Sequence, residues 1–161
     1  MNPPGYQMTA LSPLLTKLRD TTVKKRLEAA RELGRSGNTA AIAPLGAALS
    51  DPHPGVRTEI AGALGRLDDS AALPFLLAAL DDTEPDVRAA AIAALGRIGD
   101  PAAAGALIPC LRDKAVVVRI GACSVLGKLK SKRAVPAVES LLDDPFSDVR
   151  EAAEIALRRI H

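Results

Sequence analysis

Two residue types recur in this chain at a spacing that invites chemistry. Arg26, Arg57, Arg88, Arg119 and Arg150 stand 31 residues apart, and Asp20, Asp51, Asp82, Asp113 and Asp144 keep the same step. A carboxylate shortly ahead of a guanidinium could serve catalysis or hold a phosphate. Repetition through the whole chain points elsewhere. It predicts a structural ladder, in which carboxylates accept hydrogen bonds from helix N-terminal amides and guanidinium groups bridge layers. No other catalytic constellation is expected. Neither Cys110 nor Cys123 has a histidine in phase, the histidines are His53 and His161, and no Gly-rich phosphate loop occurs. The expectation is no catalytic residue, no metal site and no cofactor.

Positioning such a ladder takes a repeating scaffold. The same period runs through Leu18, Leu49, Leu80, Leu111 and Leu142, through Leu33, Leu64, Leu95, Leu126 and Leu157, and through Gly34, Gly65, Gly96 and Gly127. In the second unit, Pro52 and Pro54 follow Asp51, and Val56, Ile60, Ala63, Leu64 and Leu67 then recur at helical spacing, with Gly65 marking the helix end. Ala72, Leu73, Leu76, Ala79 and Leu80 give a second helix, which Asp100 before Pro101 caps in the third unit. By phase, A helices fall near 22–34, 54–66, 85–97, 116–128 and 147–159, and B helices near 11–19, 40–49, 71–80, 102–111 and 133–142. Units of this kind bury their apolar faces only by stacking. The expected fold is all-α, a right-handed α-α superhelix or solenoid of about five two-helix repeats. A tail is expected over 1–10 and one array over 11–161, made of a half unit 11–19 and units near 20–50, 51–81, 82–112, 113–143 and 144–161. Lys25 and Glu32, in columns that are otherwise apolar, mark a solvated cap on the first unit.

Composition agrees with helices packed through small residues. With 48% hydrophobic residues and only Tyr6, Phe75 and Phe146 as aromatics, alanine and leucine must make the core. A net charge of +2 excludes an overall polyanion-binding character, although the middle of the chain is acidic and both ends are basic. The uncharged stretch from Ser36 to Ser50 is too short and too broken to span a bilayer, and no leader is expected before Leu11. Two cysteines make no disulfide framework, so a cytoplasmic setting is expected.

The sequence lacks the T-P-L-H run of ankyrin units and the bulky aromatics of tetratricopeptide units. The string from Asp82 to Ala103, with its Val87-Arg88 pair and its Ala94-Leu95-Gly96-Arg97-Ile98-Gly99-Asp100 run, resembles the short HEAT-like repeats of the phycobilisome lyase type. The resemblance covers about residues 11–160. It implies a scaffold for protein–protein contact, in a family of which some members do enzymatic or pigment-handling work, and a bacterial setting. The alternative function it brings is a bilin lyase-like or pigment-handling subunit. A diiron hydroxylase of this repeat class would need several His-Glu pairs, which two histidines cannot supply.

Two surfaces remain as candidates. Arg35, Arg66, Arg97, Lys128 and Arg159 form a basic column, thickened by Lys130, Lys132 and Arg133. Without stacking aromatics it reads as a solvated edge complementing helix C-termini, not as a nucleic-acid surface. On helix B the columns of Leu73, Leu76 and Leu80 take the core, so the residues between them are expected to line the concave side. They are Pro44, Ala47, Phe75, Leu77, Ala78, Ile108 and Pro109, an apolar strip expected to bind a partner. The expected function is a non-enzymatic interaction scaffold or adaptor whose partner is another protein or a second copy, with no nucleic acid and no membrane.

Overall fold

A computed structural model describes the backbone of residues 4–161 and the side chains of residues 11–161. Among the described residues there are ten α-helices and no strand: α1 (Pro4–Lys17), α2 (Val23–Arg35), α3 (Ile42–Ala47), α4 (Pro54–Leu67), α5 (Leu73–Ala79), α6 (Pro85–Ile98), α7 (Ala104–Leu107), α8 (Val116–Lys128), α9 (Val135–Glu139) and α10 (Ser147–Ile160). They stack as a solenoid of two layers. The A layer is α2, α4, α6, α8 and α10, each close to its expected span. In the B layer, α1 begins at Pro4, so most of the segment expected as a tail is helical, and residues 1–3 lie outside the described residues. Pro4 supplies a first-turn start, and no glycine or proline interrupts the chain from Tyr6 to Ser12.

The other B segments are not the continuous helices expected. Each is a short α-piece preceded by a 3₁₀ turn, and all but α5 are followed by another, as in Pro101–Ala103, α7 and Pro109–Arg112. Pro44, Pro74, Pro109 and Pro136 each remove an amide donor and interrupt the helical ladder. Asn38, Asp69 and Asp100 start three of these segments by accepting the amides of Ala40, Ala71 and Ala102 at 3.0, 2.8 and 2.8 Å.

The Arg and Asp columns join unit to unit. Arg26, Arg57, Arg88 and Arg119 each donate through Nε and Nη2 to both carboxylate oxygens of the aspartate 25 residues on, so Arg88 meets Asp113 at 2.7 and 2.8 Å. Their Nη1 groups donate to the carbonyl of the aspartate six residues before, 2.8 Å for Arg88 and Asp82. The side-chain partner therefore lies in the following unit, while the aspartate of the same unit contributes only its carbonyl. Each acceptor also takes an amide two residues on, His53, Glu84, Ala115 or Phe146, which fixes the turn into the A helix. Arg150 donates to the Asp144 carbonyl at 2.7 Å and meets no carboxylate among the described residues. The Arg57 hydrogen bond is the largest cause holding Asp82 below the usual carboxylate range. Burial pushes Asp51, Asp113 and Asp144 upward, and their guanidinium and amide donors together outweigh it. Asp20, at the start of the series, is lowered to about 2 by the amide and hydroxyl of Thr22 and by Lys25.

The glycine column does not end the A helices. The left-handed residues near their ends are Gly37, Asp68, Gly99 and Lys130, whereas Gly34, Gly65, Gly96 and Gly127 are buried within the helices. A Cβ built on Gly65 would stand 2.8 Å from the Ala94 Cα, and one on Gly127 would stand 2.9 Å from the Ala156 Cα. Gly34, Gly65 and Gly127 let neighbouring A helices approach backbone to backbone, and Gly96 makes room for the Val125 side chain. In the B layer the spacer is larger: the Phe75 ring fills the place a Cβ on Gly46 would occupy. Helix spacing follows the bulk at the contact, so the A layer is the short, inner side of the curve and the B layer the outer one. The expectation that B lines the concave face is corrected accordingly.

Replacing Arg88 with Ala should lower stability by about 3 kcal/mol, because Asp113 loses a bidentate partner while staying largely buried. Arg150→Ala, which removes only bonds to a carbonyl, should lower it by about 1 kcal/mol. Equal losses in urea melts would show that the inter-unit pairing carries little. The depressed aspartates stabilise the fold above the unfolded carboxylate range and lose that contribution as pH falls through their lower folded values. The gap between wild type and Arg88→Ala should therefore narrow below about pH 4; a gap unchanged down to pH 2 or so would contradict this. Gly65→Ala should destabilise by about 2 kcal/mol through overpacking against Ala94. Gly105→Ala, into open space, should stabilise by about 0.5 kcal/mol; a neutral Gly65→Ala in the same melts would refute the close-approach role.

Candidate functional site

The columns facing inward from the A helices hold small residues between two charged rims. Gly55, Thr58, Glu59 and Gly62 of α4 and Asp86, Ala90 and Ala93 of α6 line a groove of about 790 Å³, together with Arg66, Arg97 and Lys128. Glu84 and Asp86 stand at the N-terminal ends of the A helices, and the three cations stand at their C-terminal ends, each end suited by charge to the helix dipole. Floor residues this small leave the helix backbone close to whatever enters. The groove runs between α4 and α6 from their N-terminal to their C-terminal ends, where Lys128 of α8 also lines it.

The basic column lies on this inner face. Arg66 folds back across Gly34 of the preceding unit, since a Cβ there would stand 3.0 Å from its Nε. Lys128 repeats the gesture two units later, donating its Nζ to the Gly96 carbonyl. Glu59 accepts from Arg66 at 2.6 Å and from Arg31 at 3.0 Å. Burial pushes the Glu59 carboxyl upward, but those two guanidinium bonds outweigh it and hold it below the usual range. The Arg66 Nε itself is buried without a hydrogen-bond partner.

The strip expected to bind a partner lies on the outer layer. Ala47, Ala78 and Pro109 are exposed, while Pro44, Phe75, Leu77 and Ile108 are half-buried. Phe75 packs over Gly46 between successive B segments, so part of its expected exposure is consumed by the stack. A hollow of about 470 Å³ nevertheless opens beside it, lined by Gly46, Leu49, Pro74, Phe75 and Ala78. The structure does not bring the whole strip to one open floor. The inner groove escaped the sequence reading, although one signal for it was present: Gly62, Ala93 and Ser124 repeat a small residue one turn before the basic column.

Among the described residues no cysteine or histidine lines the groove. Cys110 and Cys123 are both buried, and burial is the main cause raising their thiols, that of Cys123 to about 11. His53 caps α4, its Nδ1 accepting from the Gly55 amide at 3.1 Å. Among the described residues no group of three His, Cys, Asp or Glu side chains could hold a metal ion, and no helix is long and apolar enough to cross a membrane.

Comparison with known proteins follows the fold. No curated protein sequence matches. Among solved structures, the complex of CpcE and CpcF of phycocyanin lyase from Nostoc sp. PCC7120 is similar at 28% identity with a TM-score of 0.82, over 93% of this chain and 64% of that one. This chain thus spans a little under two thirds of that protein's length. A designed armadillo repeat protein in complex with the peptide (KR)4 shares the fold at 22% identity and a TM-score of 0.70, over 97% of this chain and 84% of that one. Human deoxyhypusine hydroxylase shares it at 18% identity and a TM-score of 0.57, over 97% of each chain. The family description of HEAT repeats matches residues 11–87 and 73–158. Stacked two-layer units held by one repeating ladder, together with that match over most of its length, place the chain in the HEAT repeat family, to which it belongs.

Proposed function

We propose that the protein is a non-enzymatic, cytoplasmic interaction scaffold whose partner is another protein lying along the inner face. The observation that carries this reading is the groove itself: a channel between α4 and α6, floored by Gly62, Ala90 and Ala93, with acids at one end and cations at the other. Clefts that combine a small-residue floor with a few convergent polar groups suit an extended segment of chain, whose backbone needs close approach.

The outer strip of Pro44, Ala47, Phe75, Leu77, Ala78, Ile108 and Pro109 is the second surface, supported by the hollow beside Phe75. Pigment handling is the alternative activity, supported by the likeness to the lyase complex.

One experiment separates these readings. A photo-crosslinking amino acid placed at Ala93 or at Ala78, both exposed, should trap a protein in cells from Ala93 and not from Ala78. Adducts from Ala78 alone would move the site to the outer strip. Adducts from neither position, with a shifted and stabilised absorbance band when free bilin is added, would replace the scaffold with a pigment-handling role.

A further inference from the structure

The charge on the inner face changes along the stack. Over α4 and α6 the groove is balanced, with Arg66, Arg97 and Lys128 facing Glu59, Glu84 and Asp86. Past Lys128 it continues into a hollow of about 600 Å³ lined by Gly127, Lys128, Lys130, Arg158 and Arg159, with no acid among them. Lys130 is held there by a left-handed backbone, φ 50°, that turns the chain out of α8. Arg158 and Arg159 come from the last turn of α10. Arg158 approaches Glu154 at 3.8 Å, and neither Lys130 nor Arg159 has a carboxylate partner among the described residues. Lys128 is tied to a carbonyl, not to an acid.

Helix C-termini attract cations, but two helix ends do not require four cations around one concavity. Like charges within a screening length of about 8 Å repel unless an anion enters between them. We propose that this end of the groove binds an acidic segment of a partner protein; the inference rests on the groove reading above and names the chemistry of its occupant. Lys128 and Arg159 occupy the same place in neighbouring units, and packed helices lie about 8–10 Å apart. A chain in polyproline II geometry rises about 3.1 Å per residue and returns to the same face every third residue, so the carboxylates should recur every third position. A nucleic acid fits less well. Neither Phe75 nor Phe146 lines the hollow, so no phenyl ring there offers a base a stacking platform, and a phosphate chain continuing along the groove would meet Glu59, Glu84 and Asp86.

The test uses the full chain and a fluorescent peptide of about twelve residues, long enough for the groove, with glutamate at every third position among Pro, Ala and Ser. Anisotropy at low salt should show saturable binding that weakens as salt rises. The double variant Lys130→Glu/Arg159→Glu should weaken it by about tenfold or more. Arg112→Glu/Lys114→Glu, an equal change of charge at exposed positions outside the hollow, should leave it unchanged. Circular dichroism melts of both variants check folding. No binding, equal loss in both variants, or tighter binding of the same peptide with lysine for glutamate would overturn the acidic-partner inference. Tighter binding of a short single-stranded oligonucleotide at the same residues would also overturn it. In each case an adduct at Ala93 would still stand, so failure of this inference is distinct from failure of the scaffold.

Discussion

The bidentate bond from each ladder arginine to the aspartate of the following unit is the contact that the remaining geometry requires. One guanidinium reaches two successive turns at once, through Nη1 to the carbonyl of its own aspartate and through Nε and Nη2 to the carboxylate of the next. The accepting carboxylate also binds an amide at the start of its own A helix. Helix start, turn and neighbour are therefore fixed by one planar group, whose fork cannot be satisfied if a unit slides or rotates. Arg119 and Asp144 are the most deeply buried pair, and the Phe146 ring covers the Arg119 guanidinium at 5.7 Å. Shielding of this kind keeps the pair from being loosened by water.

With the turns fixed, the bulk of the residues between units decides the curvature. Gly34, Gly65 and Gly127 bring the A helices almost to backbone contact, while the B segments are held apart by side chains as large as Phe75. A stack shorter on one side than the other must bend towards the short side. The inner face is consequently built from the exposed stripe of the A helices, and the residues free to vary there are those that neither ladder nor core uses. Gly62, Ala93, Ser124 and Ile155 share one such column, as do Gly55, Asp86, Val117 and Asp148. Chemistry can change in these columns without disturbing a ladder bond or a buried leucine.

Periodicity made the architecture legible before any coordinates. Residues repeating at one period must share one environment, and so the A helices, the buried Leu64, Leu95 and Leu126 and the special status of Arg and Asp were all readable. A period does not say in which direction a side chain reaches. Asp82 and Arg88 sit close in sequence and look like a pair, yet the guanidinium prefers Asp113, which only stacking brings near. Gly65 was misread for a similar reason: a glycine near a helix end suits both a left-handed cap and a close approach, and its neighbour Ala94, not its own position, decides between them. The same blindness hid the inside of the curve. Apolar residues on helix B attracted attention to the outer face, whereas the inner one was marked by smallness, a weaker signal than Phe75 or Ile108.

Separating ladder from groove also explains why the arginines and lysines of this chain have two different fates. Arg88 and its counterparts are largely buried and saturated by fixed acceptors, so their charge is spent on the stack. From the last turns of their helices, Arg66 and Lys128 of the basic column fold back over Gly34 and Gly96, where no Cβ blocks a long side chain. Where an acid such as Glu59 stands in the floor, the folded-back cation is satisfied internally. At the corresponding place in the last two units the floor offers Gly121 and Ala152 instead, and the cations of Lys128 and Arg159 have no carboxylate partner among the described residues. The groove thus acquires a charge gradient from the identity of one floor column, while the backbone beneath it stays the same from unit to unit.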